Sequence, residues 1–428
     1  MTATDVALIA LVAFGLNLIS ARLQRWYLTL PLMFTASGLI LGPDITDIVQ
    51  IPIETAAIEL LAEATLVMVL FSDASRIDLS LLERQAALPA RLLLIALPLT
   101  VAAGTAVGWL LWGDMNIWAL ALLATILAPT DAALGQAVVS SPVVPVRIRT
   151  TLNVESGLND GMAVPFLTVV LGRLVETSED LGDPLSWVRF TAEQVGFGVV
   201  AGLAVGMAGG KLVEWASERR TAEPGSRRVA ALTLAIAAAA GSAAIGGNPF
   251  IAAFVAGAAL RRVAPASCSR LYEFLEREGE LLTQIAFFIF GVALAGVALT
   301  SLTPRAVVYA LLSLTVIRML PVALSLIGSG LRRDTVLFIG WFGPRGLASI
   351  VFILTTIEET ELAATDELIV AACLTVVLSI VAHGFSAQPL SRLYGRRFEE
   401  MPEDEAEEME EMEEMEELPV RGIGGLMP

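Results

Sequence analysis

The stretch TLNVESGLNDGMAVPF, residues 151 to 166, places Glu155, Ser156, Asn159 and Asp160 within six positions of an otherwise apolar run. On a helix Ser156 and Asp160 lie one turn apart on a single face, and Glu155 and Asn159 share a neighbouring one. Hard oxygens grouped in this way suit a small cation. A carboxyl group that can hold either a proton or a metal ion, but not both, performs exchange. Two further stretches set a charge beside a helix breaker: LAPTDAAL (127 to 134), with Pro129 before Thr130 and Asp131, and GWFGPRGLAS (340 to 349), with Gly343 and Pro344 before Arg345. Proline removes a helical hydrogen bond and frees the carbonyl one turn earlier. The helix so interrupted presents bare N–H groups on one half and bare C=O groups on the other, and Asp131 and Arg345 would each balance one set. The expected cage is Asp160, the Ser156 hydroxyl and oxygens freed near Thr130.

These residues must be carried by membrane-spanning elements. The chain of 428 residues is 56% hydrophobic, with a mean hydropathy of +0.73, and its apolar residues come in long runs. A spanning helix needs about 20 mostly apolar residues. Thirteen runs qualify, centred near residues 12, 36, 63, 101, 124, 162, 202, 237, 254, 289, 315, 346 and 377. The fold class expected is therefore an all-α polytopic membrane protein. If the N-terminus lies outside, 21 Arg and Lys side chains fall in cytoplasmic loops, while only Arg173, Arg189 and Arg305 fall opposite. The positive-inside rule thus predicts N-out, C-in. The first segment, MTATDVALIA, has no basic leader and does not read as a cleaved signal. The net charge of −17 is concentrated at one end, because residues 399 to 417 hold 13 of the 44 acids. That Glu-Glu-Met repeat reads as a solvated cytoplasmic tail, with a cation- or partner-binding element as the alternative. Cys268 in a loop and Cys373 in the last span predict no structural disulfide.

Charges within a span are costly, about 2.5 to 3.5 kcal/mol each at the helix centre, so each calls for a reason. Asp131 reads as an ion ligand or as a cap for a broken helix, and Glu155 and Arg345 as site residues or as an architectural ion pair. Arg318 reads as a neutraliser of a half-helix end or of an acid. Thr130 and Ser156 are either ligands or hydroxyls bonded to their own helix. Glu63 and Asp73 are candidates for pH tuning or a cation funnel, against helix-end charges. His383, the single histidine, reads as a packing residue or a pH sensor.

At these positions the chain resembles the sodium/proton antiporters of the NhaP and NHE type, in the monovalent cation:proton antiporter superfamily. The resemblance runs through FSDASRIDL (71 to 79), APTDA (128 to 132), ESGLNDG (155 to 161), GGNPFIAAFVAGAAL (246 to 260) and GWFGPRGLAS (340 to 349). It implies that Asp160 carries ion and proton, with Asn159 beside it. It further implies that Thr130 and Asp131 lie at crossing unwound helices, that Ser156 and Glu155 contribute to the ion site, and that Arg345 pairs with Glu155. The Asn-Asp form goes with electroneutral exchange. The implied fold is an NhaA-like inverted repeat of thirteen helices, working as a homodimer by an elevator-like movement. Within residues 1 to 397, the core bundle is expected at 87–176 and 305–394, dimerisation helices at 1–72 and 229–300, and a linking helix near 188–215; 398–428 form the tail. Ala132 stands where a second proline is common, and Gly157 where a larger apolar residue is.

The function expected is exchange of Na+ or Li+ for H+ across the cell membrane, with Asp160, Ser156 and Thr130 holding the transported Na+ and no cofactor, catalytic residue or nucleic-acid partner. A K+/H+ antiporter is the alternative. A channel is disfavoured by the absence of a carbonyl-rich filter repeat. An intramembrane enzyme is disfavoured because the sequence has neither His-Glu-x-x-His nor Gly-x-Ser-x-Gly. Clustered carboxylates argue against an organic-anion carrier.

Overall fold

The computed structural model describes residues 3–51, 56–75, 86–131, 134–174, 184–360, 362 and 366–399, and all regular structure among them is helical. Ala132 and the acidic tail beyond Glu399 lie outside the described residues. In chain order the helices are α1 (Ala3–Leu18), α2 (Ser20–Arg25), α3 (Leu30–Leu41), α4 (Ala56–Ala74), α5 (Ala87–Leu111), α6 (Ile117–Ile126), α7 (Gln136–Val139) and α8 (Val146–Leu174). There follow α9 (Pro184–Glu218), α10 (Pro224–Ala244), α11 (Pro249–Val263) and α12 (Pro265–Phe290, continuing to Thr300). The last are α13 (Pro304–Leu314), α14 (Val316–Ser325), α15 (Arg333–Trp341), α16 (Leu347–Glu359) and α17 (Glu367–Glu399). Each of the thirteen apolar runs falls on one of these helices or on a pair of half-helices.

Among the described residues six helices are long and apolar enough to cross a bilayer unaided. Others, including α6 with α7 and α15 with α16, are pieces of interrupted spans. Leu110, Leu212 and Ile327 are 74%, 66% and 70% exposed. Apolar side chains displayed on this scale suit acyl chains rather than water.

Local sequence sets the starts. Asn248 accepts from the Phe250 and Ile251 N–H groups with Pro249 in the first turn of α11, and Thr303 accepts from the Ala306 N–H ahead of α13. Such side chains satisfy donors that a helix start leaves bare. Apolar burial drives little association within lipid, so close backbone contact does more of the work. Gly38 of α3 and Gly291 of α12 show it: a Cβ on either would overlap the other helix's backbone. The expectation that Cys268 sits in a loop is corrected, because Pro265 opens α12 and helix runs through that position. Two π-helical turns, Leu92–Ala96 in α5 and Gly291–Ala295 in α12, and the break at Thr315 between α13 and α14 were not anticipated from sequence.

Candidate ion-binding site

Two interrupted spans meet through their non-helical segments. The backbone N–H of Asp131 donates to the Pro344 carbonyl at 2.8 Å, joining the break after α6 to the break before α16. The Asp131 carboxylate in turn accepts from the Leu347 N–H at 2.8 Å, at the bare start of α16. At the other pole Arg345 Nη1 donates to the Ala128 and Pro129 carbonyls at 2.8 and 3.1 Å, and Ser349 Oγ donates to the Ile126 carbonyl at 2.8 Å. The carbonyls that α6 leaves open at its end are therefore taken by side chains from the opposite span. An anion on exposed N–H groups and a cation on exposed C=O groups match the helix-end charges. Gly346 lets these segments approach, since a Cβ there would fall on the Asp131 carboxylate.

Helix α8 passes beside this crossing. Asn159 makes two bonds to Thr130: its Nδ2 donates to Thr130 Oγ1 at 2.6 Å, and its Oδ1 accepts from the Thr130 N–H at 3.2 Å. The Thr130 and Ser156 hydroxyls lie 3.1 Å apart. Asp160, one turn beyond Ser156, is 7% exposed, and its Oδ1 has no hydrogen-bond partner. Asp131 and Asp73 are the carboxylates whose charge bears on it. Two hydroxyls beside a buried, unsatisfied carboxylate oxygen offer a small cation hard ligands. The continuous helix through Gly157 has the Phe254 ring where a larger side chain would go, with a Cβ at 3.0 Å from Phe254 Cε2. That contact accounts for the small residue here without an altered backbone.

The pairing of Glu155 with Arg345 is corrected. Glu155 Oε1 lies 2.6 Å from Arg318 Nη2, with both side chains 2% exposed, while the Arg345 guanidinium is drawn to the carbonyls of the broken helix. Glu63 and Asp73 sit about 15 Å apart along α4, and Asp73 is buried. Glu63 interacts electrostatically with Glu359 at the end of α16, away from the crossing. His383 is 1% exposed on α17, with Nε2 2.9 Å from the Trp341 carbonyl and Nδ1 3.1 Å from Ser379 Oγ. Sequence reasoning missed Ser349 and Ser379; hydroxyls within apolar spans, one on α16 and one a turn before the lone histidine, were the available signal. Among the described residues no three His, Cys, Asp or Glu side chains group into a metal cluster.

The model of the sodium/hydrogen exchanger transmembrane family matches residues 7–393. The chain belongs to that family. A Na(+)/H(+) antiporter of Schizosaccharomyces pombe is 26% identical over 328 residues, covering 67% of this chain and 68% of that protein. Na(+)/H(+) antiporter 2 of Zygosaccharomyces rouxii is 28% identical over 271 residues, covering 60% of this chain but 34% of its own length. The chain thus spans about a third of the yeast relative's length. The K(+)/H(+) antiporter NhaP of Alkalimonas amylolytica is 28% identical over 287 residues, 63% of this chain and 46% of that one. The fold is similar to that of the sodium proton antiporter MjNhaP1 from Methanocaldococcus jannaschii, with a TM-score of 0.73 at 21% identity, covering 90% of this exchanger-family chain and 97% of that structure.

Proposed function

We propose that the chain is a secondary antiporter exchanging Na+ or Li+ for H+ one for one, with proton and cation competing for Asp160. The observation that carries this reading is the unpartnered Asp160 Oδ1, buried one turn along α8 from Ser156, whose hydroxyl lies 3.1 Å from that of Thr130 at the crossing. A desolvated carboxylate is costly without a compensating charge, so the group takes either guest and resists standing empty. Ser156 and Thr130 supply hydroxyl ligands, Asn159 holds Thr130 in place, and Glu155 anchors Arg318.

Charge supports the stoichiometry. Asp131, Glu155 and Asp160 oppose Arg318 and Arg345 at the crossing, with Asp73 also buried nearby, and a proton or a monovalent cation on Asp160 leaves this centre with the same charge, so exchange of one for the other moves none. In this reading the core bundle (87–176 and 305–394) moves against dimerisation helices (1–72 and 229–300) of a homodimer in the cell membrane, N-terminus outside. K+ in place of Na+ is the alternative, favoured by the Alkalimonas relative.

The test is a proteoliposome assay of internal pH on adding Na+, Li+, K+ or Ca2+, with Asp160→Asn in parallel. Monovalent-cation-driven proton flux in the wild type and none in a folded Asp160→Asn protein is expected. Undiminished flux in the variant refutes the reading, and a response to imposed membrane potential refutes the one-for-one stoichiometry.

A further inference from the structure

The polar side chains of α17 form a feature that the exchange scheme does not use. Ser379, His383 and Ser386 follow at i, i+4 and i+7, which places them on one face of a largely apolar helix. That face meets the end of α15 and the break after it. Ser379 Oγ accepts from the Arg345 N–H at 2.6 Å, His383 Nε2 lies 2.9 Å from the Trp341 carbonyl, and Trp341 Nε1 donates to Ser386 Oγ at 3.0 Å. The His383 ring packs on the Trp341 ring with centroids 5.1 Å apart. Backbone groups that Pro344 and Gly343 leave without helical partners are thus taken from both sides of the break by one neighbouring helix.

We propose that Ser379 and His383 are positioning residues for ion binding, clamping the broken segment so that Arg345 stands where its guanidinium can hold the Ala128 and Pro129 carbonyls and thereby fix Thr130. This inference rests on the exchange reading of the same crossing. The bonds fix one ring hydrogen. The Trp341 carbonyl only accepts, so Nε2 carries a hydrogen, while Ser379 Oγ can turn its own hydrogen toward Nδ1. Nδ1 also lies 2.9 Å from the Ser379 carbonyl, which a doubly protonated ring could use.

His383→Leu removes the donor while keeping bulk, and His383→Gln returns an amide N–H near the Nε2 position. In sodium-driven proton flux, His383→Leu should raise the apparent KM for Na+ about tenfold, the weight of one buried hydrogen bond, and His383→Gln should restore it. A folded His383→Leu protein with wild-type KM, or a His383→Gln protein as impaired as His383→Leu, overturns the proposal. Because the chain has a single histidine, ring-nitrogen NMR on histidine-labelled wild-type protein reads the clamp without a variant that must fold. A slowly exchanging hydrogen on Nε2 is expected, and a bare Nε2 overturns the clamp. A wild-type protein that moves no cation would defeat the exchange reading alone, whereas unchanged KM in an active His383→Leu protein would defeat the clamp alone.

Discussion

The partner of Glu155 can be settled by a double-mutant cycle. Glu155 and Arg318 are each 2% exposed and meet at 2.6 Å, so deleting either charge strands the other where water cannot reach it. Arg318→Met alone should cost about 3–5 kcal/mol of stability, as should Glu155→Leu alone. Removing both leaves neither charge stranded, and the pair should recover about 2–3 kcal/mol relative to the sum of the singles. Arg345→Met is also costly, because charge-assisted bonds of about 1.5–3 kcal/mol each are lost at the Ala128 and Pro129 carbonyls. Glu155 acts on Arg345 as a charge through space while its ion pair is with Arg318, so the cycle between Glu155 and Arg345 should return the smaller coupling, under ~1 kcal/mol. Unfolding in mixed micelles, followed by the fluorescence of the seven tryptophans, supplies the four stabilities for each cycle. A coupling to Arg345 equal to or larger than that to Arg318 would refute the assignment.

Three further outcomes follow from the crossing. Gly346→Ala sets a methyl group onto the Asp131 carboxylate, and should abolish exchange while apolar helices elsewhere stay folded; circular dichroism and flux together check it, and wild-type flux would contradict the close approach. Asp131→Asn keeps an oxygen for the Leu347 N–H but removes one negative charge from the centre, so the loaded carrier is one unit more positive than in the wild type. Its turnover should acquire a dependence on imposed potential, up to about 2.3 kcal/mol per 100 mV for a full crossing, and potential-independent turnover would contradict the charge count. Competition for Asp160 fixes a sign: the apparent KM for Na+ should rise as pH falls, approaching tenfold per unit once the proton holds most sites, and flux at graded pH reads the slope.

Much of this arrangement is legible from residue types because breaking a helix inside a membrane leaves few alternatives. Pro129 beside Asp131 and Pro344 beside Arg345 announce two interrupted spans, and the turn between Ser156 and Asp160 announces a shared face. Which arginine meets Glu155 is not legible. Arg318 and Arg345 are both single charges in apolar runs, and the choice depends on how α14 and α15 pack, which local periodicity does not encode. Thr315, where the span carrying Arg318 breaks, has no proline beside it to signal the interruption. Ser349 and Ser379 escape for a similar reason, since a hydroxyl in an apolar helix most often bonds its own turn, as Thr356 and Thr375 do here.

The difference among Glu155, Arg345, Asp131 and Asp160, all buried around the crossing, explains why the last of them suits a mobile guest in the proposed exchange. Glu155 has Arg318, Arg345 has the carbonyls of Ala128 and Pro129, and Asp131 has the first free N–H of α16. Each is compensated by a partner fixed in the protein, so a cation arriving beside it would gain little and would disturb an existing bond. Asp160 differs in having no cation or N–H partner among the described residues, its buried Oδ1 being without a donor. In the proposed exchange its compensation comes from the ion, with the Thr130 hydroxyl bonded to Asn159 and the Ser156 hydroxyl 3.1 Å from it as further ligands. The broken helices are therefore more than a source of loose carbonyls: they take up Asp131 and Arg345 at their ends, and in the proposed exchange Asp160 is the carboxylate left for the ions to contest.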